Sequence, residues 1–188
     1  FQNGFSSHTV TNAGPTTDWP DALRLTATSA GTAGNLYRYV RISTTARAFQ
    51  STDLVEYDVW VADNKPALGG IDISMTDGTY LRATPPTDQN GLGAHPATDL
   101  TAQAVGKWYH RRLPLAGLAV VGKTSNKWDV VNENDDVNAT YTAYYDNLIV
   151  ATKPGACDGA NTCKIKAGAA CGSGAECASG VCSGSVCQ

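Results

Sequence analysis

Cysteine is absent from the chain until Cys157, and all six cysteines then fall between Cys157 and Cys187. Charge is scarce too: Asp, Glu, Lys and Arg make up 16% of the 188 residues, below the usual share of about 25%. Glu, Lys and Leu are too sparse for a coiled coil or a long-helix protein. The 14 Lys and Arg against 17 Asp and Glu give a net charge of −3. That balance leaves no basic stripe for nucleic acid. No run of about 18 apolar residues occurs, so no membrane span is expected. Phe1 opens the chain with neither Met nor a basic-then-apolar leader, which reads as a mature or excised segment. A Gly-x-Ser-x-Gly nucleophile elbow and a phosphate-cradling glycine loop are both missing.

What is present divides the chain in two. Beyond the linker Thr152-Lys153-Pro154-Gly155, the tail has little apolar content besides Ile165, Val181 and Val186. It cannot build a core, so its constraint must be covalent, at roughly 2–5 kcal/mol per bridge in small secreted domains. Zinc is the competing reading, but the tail has no Cys-x-x-Cys pair and no His. Cys157, Cys163, Cys171, Cys177, Cys182 and Cys187 are therefore read as disulfides, with their connectivity open. Disulfides imply export, so the protein is expected to be secreted or at the cell surface. The expected domains are 1–154 and 155–188.

The larger region has no sustained helical period. It breaks instead into short alternating runs at Leu36–Ile42, Leu54–Ala62, Ile71–Thr76, Lys107–Leu115, Lys127–Asn132 and Tyr141–Val150. Weaker runs occur at Ala22–Ala27 and Thr79–Arg82. Asp63-Asn64-Lys65-Pro66, Gly69-Gly70, Pro85-Pro86 and Asn90-Gly91 are turn signals, and Asp77-Gly78 reads as a hairpin turn. This predicts an all-β fold, a two-sheet antiparallel β-sandwich or jelly roll, with a small disulfide-rich C-terminal tail.

Successive strand residues point to opposite faces. Val55, Tyr57, Val59 and Val61 then face the core, leaving Glu56, Asp58 and Trp60 outside. Ile71, Ile73 and Met75 leave Asp72, Ser74 and Thr76 outside. Leu36, Val40 and Ile42 leave Tyr37, Tyr39 and Arg41 outside, with Arg38 needing an edge position. Leu113 and Leu115 put Trp108, His110 and Arg112 outside. If these strands share a sheet, its outer face gathers Tyr37, Tyr39, Arg41, Glu56, Asp58, Trp60, Asp72, His110 and Arg112. Aromatic faces beside hydrogen-bonding groups suit a sugar ring. The competing reading is a solvated face with ion pairs, such as Arg41 or Arg112 against Glu56 or Asp58.

Two further features bear on chemistry. The run from Trp128 to Asp136 is dense in oxygen donors of the kind calcium takes, although a plain acidic loop explains it more simply. Asp146 is a carboxylate within an apolar and aromatic strand, so it needs a partner, either Arg or a metal ion. Glu56-Tyr57-Asp58 resembles the start of the acidic motif of jelly-roll glucanases. Trp60 and Val61 occupy the places of the third acid.

Phe1-Gln2-Asn3-Gly4-Phe5, the strand from Leu54 to Trp60, Trp108–Leu115 and Tyr144–Ile149 together resemble carbohydrate-binding modules of the galactose-binding-like β-sandwich type. The resemblance spans nearly all of residues 1–154. The tail resembles Cys-rich repeats of secreted bacterial proteins. The resemblance implies a structural calcium between the first strand, where Gln2 stands in place of the common Glu, and Asp146 of the last strand. It also implies non-catalytic binding of a polysaccharide or oligosaccharide, by a free module or as part of a larger secreted enzyme. A site on loops at one sandwich edge would use Trp19 and Tyr80 instead. Two alternatives stay open. One is a small jelly-roll polysaccharide lyase or glycoside hydrolase using Tyr37, Arg41, His110 and Arg112. The other is a structural or adhesive surface domain.

Overall fold

The alternation of the most regular strand is obeyed in the computed structural model: Val55, Tyr57, Val59 and Val61 are at most 4% exposed and line one face of β5 (Asp53–Val61). The structure describes residues 2–3, 5–17, 20–29, 36–62, 69–95, 105–134, 140–152, 182–183 and 186–187. The other strands are β1 (Gln2–Asn3), β2 (Phe5–Asn12), β3 (Leu23–Ser29), β4 (Leu36–Ser43), β6 (Gly69–Met75), β7 (Trp108–Pro114), β8 (Ser125–Asn134) and β9 (Thr140–Thr152). A four-stranded sheet has the order β1-β4-β8-β6 and a five-stranded sheet the order β2-β3-β9-β5-β7, with every pairing antiparallel. From β3 onward each successive strand crosses to the opposite sheet. The fold is thus the expected all-β sandwich. Among the described residues no helix is long and apolar enough to cross a membrane.

The core lies between the sheets. Val55, Val59, Leu113 and Tyr145 of the five-stranded sheet meet Ile71, Ile73, Met75 and Val130 of the four-stranded one. Trp128 belongs to this core as well, packing edge-on against Phe49 at 5.6 Å while its indole N–H donates to the Thr45 carbonyl. The sheets approach closely at Gly69. A Cβ there would lie 2.7 Å from Val59 Cγ2 and 3.1 Å from the Tyr145 hydroxyl, which itself donates to Asn132 Oδ1 across the interface. Gly69→Ala is therefore an overpacking change, expected to cost about 1–3 kcal/mol and to be read as a lowered melting temperature.

Several expectations are corrected here. Trp128–Asn134 is strand β8 in the middle of a sheet, not an acidic loop; Asp135 and Asp136 lie outside the described residues. Asp129 pairs with Arg41 of the neighbouring strand, and Asn132 Oδ1 accepts from the Tyr145 hydroxyl of the facing sheet. Thr79–Arg82 is not a strand. After the Asp77-Gly78 turn, with Gly78 at φ 86°, the chain makes one bridge from Tyr80 to Ser74 and then a short 3-10 helix, Leu81–Ala83. Arg38 lies one strand in from the edge, where it reaches His8 of the other sheet at 2.7 Å.

Cys182 and Cys187 stand opposite each other in a two-stranded ladder, β10 (Cys182–Ser183) with β11 (Val186–Cys187). Cys157, Cys163, Cys171, Cys177 and the linker at 153–155 lie outside the described residues, as does Trp19.

Candidate functional site

The residues expected on one face are divided between two. Tyr37, Tyr39, Arg41 and Asp72 belong to β4 and β6 of the four-stranded sheet. Glu56, Asp58, Trp60, His110 and Arg112 belong to β5 and β7 of the five-stranded sheet. The outer faces of a sandwich point away from each other, so these groups cannot meet one ligand together. Residue alternation reports the face of each strand, but not the sheet it joins. The Tyr37, Arg41, His110, Arg112 set expected for a lyase is split in the same way.

On the four-stranded sheet much of the expected surface is covered. Asp72 is 1% exposed beneath Arg82, which bonds its carboxylate and lies 4.0 Å from the centre of the Tyr80 ring. Burial pushes the Asp72 carboxyl above its usual range, against the pull of Arg82. Arg41 pairs with Asp129 at 2.8 Å rather than with Glu56 or Asp58. Tyr39 is buried, with its hydroxyl 2.6 Å from Nε2 of His95, a residue 2% exposed.

Burial, helped by the nearby Arg82 charge, lowers the His95 imidazole from 6.5 to about 4. A histidine kept neutral in the fold binds fewer protons than in the unfolded chain between those values. Its contribution is present above about pH 6.5 and is lost as pH falls towards 4. At about 1.4 kcal/mol per unit, the loss is roughly 3 kcal/mol. Urea titrations from pH 7 to 4.5 should show this decline, and His95→Gln should flatten it.

The outer face of the five-stranded sheet is where the remaining groups converge. Strand register sets Tyr144 of β9, Trp60 of β5 and Trp108 of β7 side by side in one row across the sheet. Trp60 and Trp108 are half-buried, and Tyr144 is buried beside Trp60, the Trp60 and Tyr144 rings 5.2 Å apart and perpendicular. Arg24 of β3 continues the row, 5.8 Å from the Tyr144 ring. One step along the strands lies a second row, Asp146, Asp58 and His110, and beyond it Ile149, Glu56 and Arg112. On the other side, Thr26 and Thr142 join hydroxyls at 3.1 Å, as do Thr28 and Thr140 at 3.0 Å.

The second row is a connected polar chain. His110 Nδ1 lies 2.7 Å from Asp58 Oδ1 and its Nε2 3.2 Å from Glu56 Oε2. Asn147 Nδ2 donates to Asp58 Oδ2 at 2.6 Å, and Arg112 Nε sits 3.7 Å from Glu56. Asn147 reaches this face because β9 carries a bulge. Asp58 pairs with Asp146 while Glu56 pairs with Ile149, so two residues of β9 face Tyr57 alone. Asn147 absorbs the extra residue at φ 50°, a left-handed conformation that Asn tolerates better than most residues. Trp108 is assigned to this outer face by alternation alone. Tyr144, Arg24 and Asn147 are additional residues that the sequence reading misses. The available signal is the parity of β9: Tyr141, Ala143 and Tyr145 face inward, then Leu148 and Val150.

Gln2 and Asp146 belong to different sheets. Gln2 pairs with Arg38 in the four-stranded sheet, whereas Asp146 stands in the middle strand of the other sheet. Asp146 Oδ1 accepts the Asn147 backbone N–H, and among the described residues no group of three His, Cys, Asp or Glu could hold a metal.

No protein-family model matches the chain, and no curated protein does. Solved structures similar to it include carbohydrate-binding modules. One, described for the promiscuous specificity of carbohydrate-binding modules of the β-sandwich superfamily, is 14% identical with a TM-score of 0.49, covering 80% of this chain and 55% of that one. A family 30 carbohydrate-binding module of a cellulosomal cellulase from Clostridium thermocellum is 10% identical, TM-score 0.42, covering 80% of this chain and 87% of that one. SGBP-B from a xyloglucan utilization locus of Bacteroides uniformis is 14% identical, TM-score 0.45, with 81% and 47% covered. The chain thus spans about half the length of the first and third of these.

Proposed function

We propose that this protein binds a polysaccharide or oligosaccharide, without cleaving it, on the outer face of the five-stranded sheet. The observation that carries the reading is the row Tyr144–Trp60–Trp108, bordered by threonine hydroxyls on one side and by Asp58, His110 and Asn147 on the other. Adjacent strands lie about 4.8 Å apart, so the half-buried Trp60 and Trp108 stand side by side as the accessible part of the row, backed by the buried Tyr144. A sugar's C–H face can stack on an indole while its hydroxyls reach donors and acceptors in the flanking rows. Ile149, 52% exposed on the same face, adds apolar surface.

Glycoside cleavage asks for an acid and a second carboxylate flanking the scissile bond. Here Glu56 and Asp58 both point at one imidazole, which suits holding a ligand rather than breaking it. The cysteine-rich tail favours an exported protein, and such a module would serve as the targeting part of a larger secreted enzyme. Affinity electrophoresis through gels containing a panel of soluble polysaccharides tests the reading. At least one polymer should retard the protein without releasing reducing ends. Unaltered mobility in every gel would contradict binding, and cleavage products would contradict the non-catalytic part.

A further inference from the structure

The strand lengths leave one flank of the sandwich open. The β3–β9 ladder stops at Leu23 and Tyr145, whereas β9 runs on to Thr152, paired from there only with β5 among the described residues. On the facing sheet β1 reaches only Tyr37 and Arg38 of β4, so among the described residues Arg41–Ser43 has no ladder neighbour on that side either. A cavity of about 110 Å³ opens here between the sheets, walled by Leu23, Ile42, Ile71, Val130 and Leu148. Tyr57, Tyr145 and, at the β9 bulge, Asp146 and Asn147 complete its lining.

Close-packed interiors keep few voids larger than a water molecule. A space of this size with apolar walls is a poor home for water, which needs two to four polar partners, and an apolar cavity of about 150 Å³ takes up benzene. Leu23, Ile42 and Leu148 are only partly buried, so the mouth presents apolar carbon to solvent. We propose that this flank is a binding pocket for a compact apolar group, about a benzene ring or smaller. The group comes either as a free small molecule or as an ester-linked acyl or aryl substituent of a glycan. The second source rests on the carbohydrate reading above, because Asn147 lines the pocket and also bonds Asp58 in the polar row of the outer face.

Benzene is the probe for the pocket itself, and the experiment needs no sugar. Methyl-resolved NMR of the whole chain during a benzene titration should show saturable shifts at Leu23, Ile42 and Leu148. Leu148→Phe and Ile42→Phe, each filling the space from a different sheet, should weaken uptake at least tenfold while methyl dispersion stays native. Leu148→Ala should retain it. Absence of saturable shifts in the wild type, or equal shifts in both filled variants, overturns the proposal. An acetylated polysaccharide and the same polymer after mild alkaline de-esterification then identify the source. Retention that depends on the ester in the wild type but not in Leu148→Phe assigns the glycan substituent, and ester-independent retention assigns a free molecule.

Discussion

Replacing Asp88 with alanine should lower stability by about 3–5 kcal/mol, measured as a fall in the urea midpoint at unchanged slope. Arg111 lies on the inward face of β7, and its side chain is 2% exposed. Its Nε donates to Asp88 Oδ2 at 3.0 Å, Nη1 to the Tyr57 hydroxyl at 3.1 Å, and Nη2 to the carbonyls of Leu92 and Gly93. Asp88 in turn accepts the backbone N–H groups of Asn90 and Leu92 and the Tyr109 hydroxyl. The pair ties the segment after the 3-10 helix to the edge strand β7. Without Asp88 the guanidinium stays buried with no counter-charge, a far worse state than a pair absent altogether. A loss of that size is a large share of the 5–15 kcal/mol, roughly, that holds a typical domain together. Burial pushes the Tyr57 phenol up despite Arg111 beside it.

Trp60→Ala should weaken polysaccharide binding by at least about 2 kcal/mol, roughly thirtyfold, while leaving the melting temperature within a few degrees. Trp60 is central in the aromatic row, with Tyr144 on one side and Trp108 on the other. It faces away from the core, so its removal leaves Val59 and Val61 packed as before. Tyr37→Ala, on the outer face of the opposite sheet, should leave affinity unchanged. Retention of Trp60→Ala equal to wild type would move the site elsewhere.

The strands themselves are largely legible because burial on one face imposes a period of two. Six runs chosen on that ground are strands, and the inward set of β5, Val55, Tyr57, Val59 and Val61, is legible residue by residue. Strand β2, Phe5–Asn12, escapes because His8, Thr9, Val10, Thr11 and Asn12 are all exposed at a sheet edge, where no core imposes alternation. Strand β8 is legible as Lys127–Asn132, but Asp129 and Asn132 also give it the look of an acidic loop, because their partners Arg41 and Tyr145 lie on other strands. The division of the candidate site has the same origin. Alternation assigns both Tyr39 and Trp60 to outer faces, and Tyr39 is nevertheless buried against His95. Only the crossing of successive strands between sheets shows that they face opposite ways. Arg111 follows its parity into the core, but nothing near it in sequence announces Asp88, 23 residues earlier.

The indole N–H signals give the most direct measurement of the central claim. Once a retarding polymer is identified, an oligosaccharide of that polymer should be titrated into the protein and followed by NMR. Trp60 and Trp108 indole resonances are expected to shift, and that of Trp128, held in the core by the Thr45 carbonyl, to stay in place. Stationary Trp60 and Trp108 signals, with shifts confined to Tyr37 and Tyr80 on the opposite side, would contradict binding on the five-stranded sheet.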